Sequence, residues 1–226
     1  AEVIVFPELC TTGYTCGDLF MQKTLLSASD RALDELCAAT GRAAMAGKLV
    51  FVGAPVASCG RLYNCAVAMA NGRILGAVPK SYLPTYGEFY EARWFEPGNN
   101  AREDTVRIAG RDVPFGCDLL FCDEEGALCV GAEICEDLWV NVPPSSFLAA
   151  AGANVIVNLS ASDEVLTKSA YRRQIVSTQS ARCICGYVYA SSGMDESTSD
   201  LVFSGHDLIY DNGQKKAESI YEFGLI

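Results

Sequence analysis

Short apolar runs, each closing on a turn or on a reactive side chain, recur from one end of the chain to the other. Residues 3–6, 49–53, 65–69, 74–78, 128–132, 155–158, 186–190 and 207–210 all have this form. They are rich in Val, Ile and Ala, as in strands covered on at least one face by helices. Asn71-Gly72 lies between two of the runs and is a strong hairpin signal. Residues 123–126 and Asp211-Asn212-Gly213 mark two further turns. Helical spacing fills the gaps. Lys23–Thr40 places Leu25, Leu26, Ala32, Leu33, Leu36 and Cys37 on one stripe. Residues 145–151 follow Pro143-Pro144 and stop before Gly152, and 165–182 carry Leu166, Ala170, Ile175 and Ala181 on one side. Asp163-Glu164 stand where they would cap that last helix. Hairpins mixed with crossover helices predict one α/β domain with mixed sheets.

Composition removes several classes of function. Half of the 226 residues are hydrophobic and a fifth are charged, which is a globular balance. The net charge of −11 argues against a partner that is nucleic acid or an acidic membrane surface. No apolar run approaches the roughly 20 residues of a membrane span. The chain has one histidine, His206, in a polar loop context and assigned no catalytic role. A Ser-His-Asp or Cys-His machine, or a His-rich metal site, would have to rest on it alone. Arg172-Arg173 reads as a solvated helix face or an oligomer contact. The eleven cysteines form no C-x-x-C pair, so no metal site is expected. Mostly buried, reduced thiols in a cytoplasmic protein fit them best. The chain starts as if partway into a sheet and closes on residues 221–226 without a polar tail, as a piece of a longer protein would.

Three strands end in the same way. Residues 3–6 run into Pro7-Glu8, 74–78 into Pro79-Lys80, and 128–132 into Glu133-Ile134-Cys135-Glu136-Asp137. In open α/β folds, sites gather beyond the carboxyl ends of strands. A carboxylate, an ammonium and a thiol brought together there form a self-sufficient unit. Cys135 would be the nucleophile, Glu8 would take and return its proton, and Lys80 would lower the thiol pKa and hold an oxyanion. No histidine is required. Each residue alone is commonplace at a strand end; the joint pattern is not.

That order resembles the Glu-Lys-Cys triad of the nitrilase, or carbon–nitrogen hydrolase, superfamily. Further segments narrow the likeness: Phe6-Pro7-Glu8-Leu9-Cys10-Thr11-Thr12-Gly13-Tyr14, Tyr63-Asn64, residues 80–91, Val113-Pro114-Phe115-Gly116, residues 133–137, Pro143-Pro144-Ser145, residues 158–162 and residues 196–201. Together they resemble the glutamine-hydrolysing domain of the glutamine-dependent NAD synthetases, over nearly the whole chain.

The resemblance implies an αββα sandwich with two mixed sheets that pairs with itself into a homo-oligomer. It implies hydrolysis of the glutamine side-chain amide through a Cys thioester, with ammonia passed to an ATP-dependent synthetase domain of the same parent chain. Carried over by position, Cys135, Glu8 and Lys80 are catalytic, and Glu88 orients Lys80. Tyr86, Ser162 and Lys168 hold glutamine, with Tyr14, Phe89 and Glu136 as pocket neighbours. The hydrolase reaction needs no cofactor; ATP, Mg and deamido-NAD belong to the synthetase domain, of which no Ser-Gly-Gly-x-Asp-Ser stretch is present here. The family's first strand and helix, which precede residue 3, are also not present. Two other readings stand beside this one: a nitrilase-type amidase acting on another small amide, and a catalytically silent domain kept for assembly. An intact Glu8, Lys80 and Cys135 argues against the silent domain.

Overall fold

The computed structural model describes residues 2–194, 196, 197 and 200–219. Thr198 and Ser199 of the 196–201 segment, and the closing residues 221–226, lie outside the described residues. The first sheet opens with β1 (Val3–Val5), crosses over through α1 (Lys23–Thr40), and continues in β2 (Leu49–Ser58), β3 (Arg61–Ala70) and β4 (Arg73–Pro79). Its order is β1-β2-β3-β4, parallel at β1/β2 and antiparallel elsewhere. Asn71 and Gly72 take positive φ (50° and 74°), so the chain reverses tightly between β3 and β4 as the dipeptide predicts. A two-stranded ribbon follows, β5 (Thr105–Ile108) and β6 (Arg111–Pro114).

The second sheet uses β7 (Leu120–Cys122), β8 (Cys129–Ile134), β9 (Val155–Ser160), β10 (Gly186–Ser191), β11 (Leu208–Asp211) and β12 (Gln214–Glu218). The connections from β8 to β9 and from β9 to β10 carry α2 (Pro144–Ala150) and α3 (Lys168–Cys183). The order is β12-β11-β10-β9-β8-β7, with β8, β9 and β10 parallel and the outer strands antiparallel. Both sheets are therefore mixed.

Side-chain alternation decides the layering. Phe51, Ala66, Ala68 and Val78 of the first sheet meet Val130, Ala132, Ile134, Val157 and Leu159 of the second in one buried cluster. The opposite parity of β2 and β3 (Val50, Val52, Cys65, Val67) packs on Leu33 and Cys37 of α1. Ile156, Tyr187 and Leu208 pack on Leu148 of α2 and Val176 of α3. The result is the expected αββα sandwich, each buried aliphatic side chain contributing about 1.5–3 kcal/mol.

Four expectations need correction. The third helix starts at Lys168 and not at 165, because Thr167 has a left-handed backbone (φ 74°). Asp163 and Glu164 do not cap it; they pair with Lys168 and Arg172 instead. Arg172 is fully buried, so it is no solvated face, whereas its neighbour Arg173 is half exposed. Of the eleven cysteines, Cys122 and Cys129 are joined in a disulfide between directly paired positions of β7 and β8. Nine remain free, but only Cys37, Cys65, Cys135 and Cys185 among them are buried.

Candidate active site

Glu8 is placed by a glycine. The turn after β1 lies against β2 at Gly53, where an added Cβ would sit 2.3 Å from the Leu9 nitrogen and 2.4 Å from the Pro7 carbonyl oxygen. Only a residue without a side chain permits that approach. Leu9 bends the chain sharply with φ of 51°. The Glu8 carboxylate is then fully buried. Its Oε1 accepts from Lys80 Nζ at 2.7 Å and from Asn64 Nδ2 at 2.6 Å, and its Oε2 accepts from the Ala161 N–H at 2.9 Å.

Lys80 follows β4 and is also fully buried. Its second carboxylate partner is Glu91, at 2.7 Å, and not Glu88. The family resemblance implies that orienting role for Glu88, which is instead exposed at the cavity mouth. The chain between Lys80 and Glu91 is irregular, so spacing alone could not tell which glutamate turns inward. Burial works to lower the Lys80 pKa, but the Glu8 and Glu91 charges outweigh it and hold the ammonium well above its ordinary value. Burial raises Glu91 to about 7, against the pull of Lys80. Tyr14 donates its hydroxyl to Glu91 at 2.7 Å. It therefore supports the Lys80–Glu91 pair, and it lines a smaller cavity that shares Glu88 and Phe89 with the Cys135 cavity.

Cys135 follows β8 at the start of a 3-10 turn, Cys135–Leu138. Its backbone is left-handed (φ 44°), a conformation costing about 1–2 kcal/mol for a residue with a Cβ. Side chains hold it there. Asn158 Oδ1 accepts the Cys135 N–H at 3.2 Å, and Asn158 is tied through Tyr187 to the buried Glu133. Asp137 Oδ2 accepts from Ile134 N at 2.9 Å, while its Oδ1 accepts from Ser81 N and Tyr82 N at 3.1 and 2.9 Å. One buried carboxylate thus fastens the Cys135 turn to the residues that follow Lys80. Sequence reasoning gave Asp137, Asn64, Asn158 and Glu91 no role, although all four stand inside the segments that carry the family likeness.

Burial pushes the Cys135 thiol up, Glu8 and Glu91 push it further, and Lys80 pulls it down. The sum is upward, so the resting group is a thiol. Lys80 alone does not make it a thiolate. Proton transfer from sulfur to Glu8 leaves the charge of the cluster unchanged, which is how a buried site can generate the nucleophile.

A cavity of about 410 Å³ opens above Cys135. Phe89, Tyr86, Glu136, Ser162 and Lys168 line it, so the structure brings these expected binding residues together. Tyr86 donates to both Glu136 oxygens at 3.0 Å. Burial raises the Glu136 carboxyl, with Tyr86 and Lys168 opposing. Lys168 pairs with Asp163 and lies over the rings of Trp139 (5.4 Å) and Phe89 (5.8 Å). Among the described residues, no group of three or more His, Cys, Asp or Glu could hold a metal ion, and no helix is long and apolar enough to cross a membrane.

An αββα sandwich with a buried Glu-Lys pair beneath a strand-end cysteine defines a hydrolase class. The carbon-nitrogen hydrolase family profile matches residues 1–213, and the chain belongs to that family. It is 46% identical over 220 residues to the glutamine-dependent NAD(+) synthetase of Mycobacterium tuberculosis, covering 97% of this chain and 32% of that protein. A glutamine-dependent NAD(+) synthetase structure from Cytophaga hutchinsonii superposes with a TM-score of 0.83 at 31% identity, over 96% of this chain and 34% of that one. An amidase structure from Nesterenkonia sp. shares the fold (TM-score 0.74, 18% identity, 98% and 74% covered). The chain spans about a third of the length of the NAD synthetases it matches.

Proposed function

We propose that this chain hydrolyses the side-chain amide of glutamine and supplies the ammonia to a synthetase domain in a glutamine-dependent NAD synthetase. One observation carries the reading: the cavity has a thiol at its floor and both an acid, Glu136, and a base, Lys168, in its walls. A substrate with an amide at one end and an ammonium and a carboxylate at the other matches that arrangement. Cys135 passes its proton to Glu8 and its sulfur attacks the amide carbon. Lys80 and a backbone N–H near Glu136 hold the oxyanion. The C–N bond breaks as Glu8 gives its proton to the leaving ammonia. Water, deprotonated by Glu8, then opens the thioester and releases glutamate, and the thiol is restored. The half-reaction draws on no cofactor. Exposed Phe147 and Ile184 on the α2 and α3 side support self-association.

The test compares glutamine with simple aliphatic amides, using the intact protein and its Cys135→Ala variant. Glutamine is expected to be the preferred substrate. Cys135→Ala is expected to abolish glutamine-supported NAD synthesis while added ammonia still supports it. Equal hydrolysis of aliphatic amides would replace this reading with that of a general amidase.

A further inference from the structure

Arg172 lies one turn into α3 and is fully buried. A buried guanidinium is costly unless its donors are used. Its Nη1 donates to Glu164 Oε2 at 3.0 Å and contacts His206 Nδ1 at 2.8 Å. Its Nη2 donates to Ser162 Oγ and to the Asp163 carbonyl oxygen, each at 3.2 Å. Ser162 and Asp163 line the Cys135 cavity, and the Asp163 carboxylate holds Lys168. One side chain that never reaches the cavity thus fixes the wall that carries two expected substrate-binding residues.

The His206 contact has a chemical condition. Arginine can only donate, so Nδ1 must accept. The ring proton then belongs on Nε2, where it is donated to Glu218 Oε1 at 2.8 Å; this tautomer is assigned from the partners. Protonated His206 has no acceptor at Nδ1 and places a second cation against the guanidinium. Among the described residues, the charged groups around the ring include Arg172 and Arg173 on α3, Glu218 on β12 with Lys215 on its other oxygen, the adjacent Asp207, and Glu164.

We infer that Arg172 is the positioning residue of the substrate wall, and that His206, by accepting from it, makes glutamine binding weaken in acid. The inference rests on the glutaminase reading. Burial lowers the His206 pKa, Glu218 opposes this, and Arg172 and Arg173 add to it. The weakening therefore falls on the acid side of about 6.5, the ordinary imidazole value.

The experiment measures KM and kcat for glutamine in the intact protein between about pH 5 and 8. His206→Gln is the central variant. Its amide oxygen can accept from Arg172 and its amide nitrogen can donate to Glu218, yet it cannot take up a proton. The wild type is expected to show about a tenfold higher KM at the acid end, whereas His206→Gln matches it within about twofold at pH 8 and loses the acid rise attributable to the ring. Arg172→Lys is expected to raise KM about tenfold at every pH, with labelling of Cys135 by chloroacetamide unchanged. Parallel acid rises in wild type and His206→Gln overturn the role of His206, and an unchanged KM in a folded Arg172→Lys overturns that of Arg172. If Arg172→Lys does not fold, the His206 pair decides. Preference for another amide would overturn the glutaminase reading, and the same KM comparison on that amide would then judge Arg172 and His206 on their own.

Discussion

The Lys80 ammonium stands 2.7 Å from Glu91, whose side chain is 2% exposed. The second Glu91 oxygen is buried without a hydrogen-bond partner. We propose that Glu91 acts by positioning Lys80 and does not meet the substrate. Glu91→Gln should lower kcat with little change in KM, and should lose roughly 1–3 kcal/mol of stability. Glu88→Gln, at the mouth, should move KM alone. Steady-state kinetics and chemical denaturation of the two variants check this; the reverse pattern would restore Glu88 as the orienting residue.

Gly53→Ala tests how Glu8 is placed. The new methyl would lie 2.3 Å from the Leu9 nitrogen and 2.8 Å from the Glu8 carbonyl carbon, so the turn must move. Overpacking of this kind costs about 1–3 kcal/mol. Activity should fall far more than stability, because the displaced carboxylate loses Lys80, Asn64 and Ala161 together. A thermal melt and an activity assay on the same sample distinguish the two effects.

Cysteine labelling separates activation from exposure. Cys10 and Cys59 are exposed, yet burial at its sulfur raises Cys10 to about 11, and a hydrogen bond with Glu103 raises Cys59. Cys135 is buried and raised as well, but it lies beside both the Glu8 carboxylate and the Lys80 ammonium, which pulls its thiol down. A glutamine-like diazoketone should modify Cys135 first, and Glu8→Gln should abolish that selectivity. Mass spectrometry after limited labelling gives the answer; Cys10 labelled first in the wild type would contradict the assignment.

Stability should decline from pH 5 to about pH 8 through two buried carboxyls. Burial raises Asp137 to about 8 and Glu91 to about 7. Their unfolded values lie near 4. Between those limits the folded state holds more protons than the unfolded one, so stability is present below the unfolded pKa and is lost as pH rises through the folded pKa. Asp137→Asn should flatten that slope. It should also weaken the link between Ile134 and the Ser81–Tyr82 backbone, because an amide nitrogen cannot accept from an N–H. Melting temperatures across the pH series read both effects.

Much of this was legible in the sequence, and the gaps have physical causes. Asn71-Gly72 announces its hairpin because both residues tolerate positive φ. Cys59-Gly60 and Ala109-Gly110 adopt the same backbone (φ 47° and 78°, 48° and 75°), but cysteine and alanine carry no such signal. The β5–β6 ribbon was missed for that reason, and β12, a polar edge strand, for want of apolar residues. Glu8, Lys80 and Cys135 could be read because each ends an apolar run. Glu91 could not be separated from Glu88, since only the path of an irregular loop distinguishes them. The partners of Asp163, Glu164 and Arg172 depend on how a loop folds back on a helix, which local propensity does not encode.

Glu8 hangs from β1 and Lys80 from β4, the two edges of the first sheet, whereas Cys135 hangs from β8 in the second. The proposed reacting groups thus form a caliper spanning the seam between the sheets, which Ala66, Ala68, Val157 and Leu159 fill. Catalysis registers sheet-to-sheet alignment more finely than any spectroscopic measure of strand content. A cavity opened in that seam, as by Leu159→Ala, should silence the enzyme while its circular dichroism still reports a folded chain.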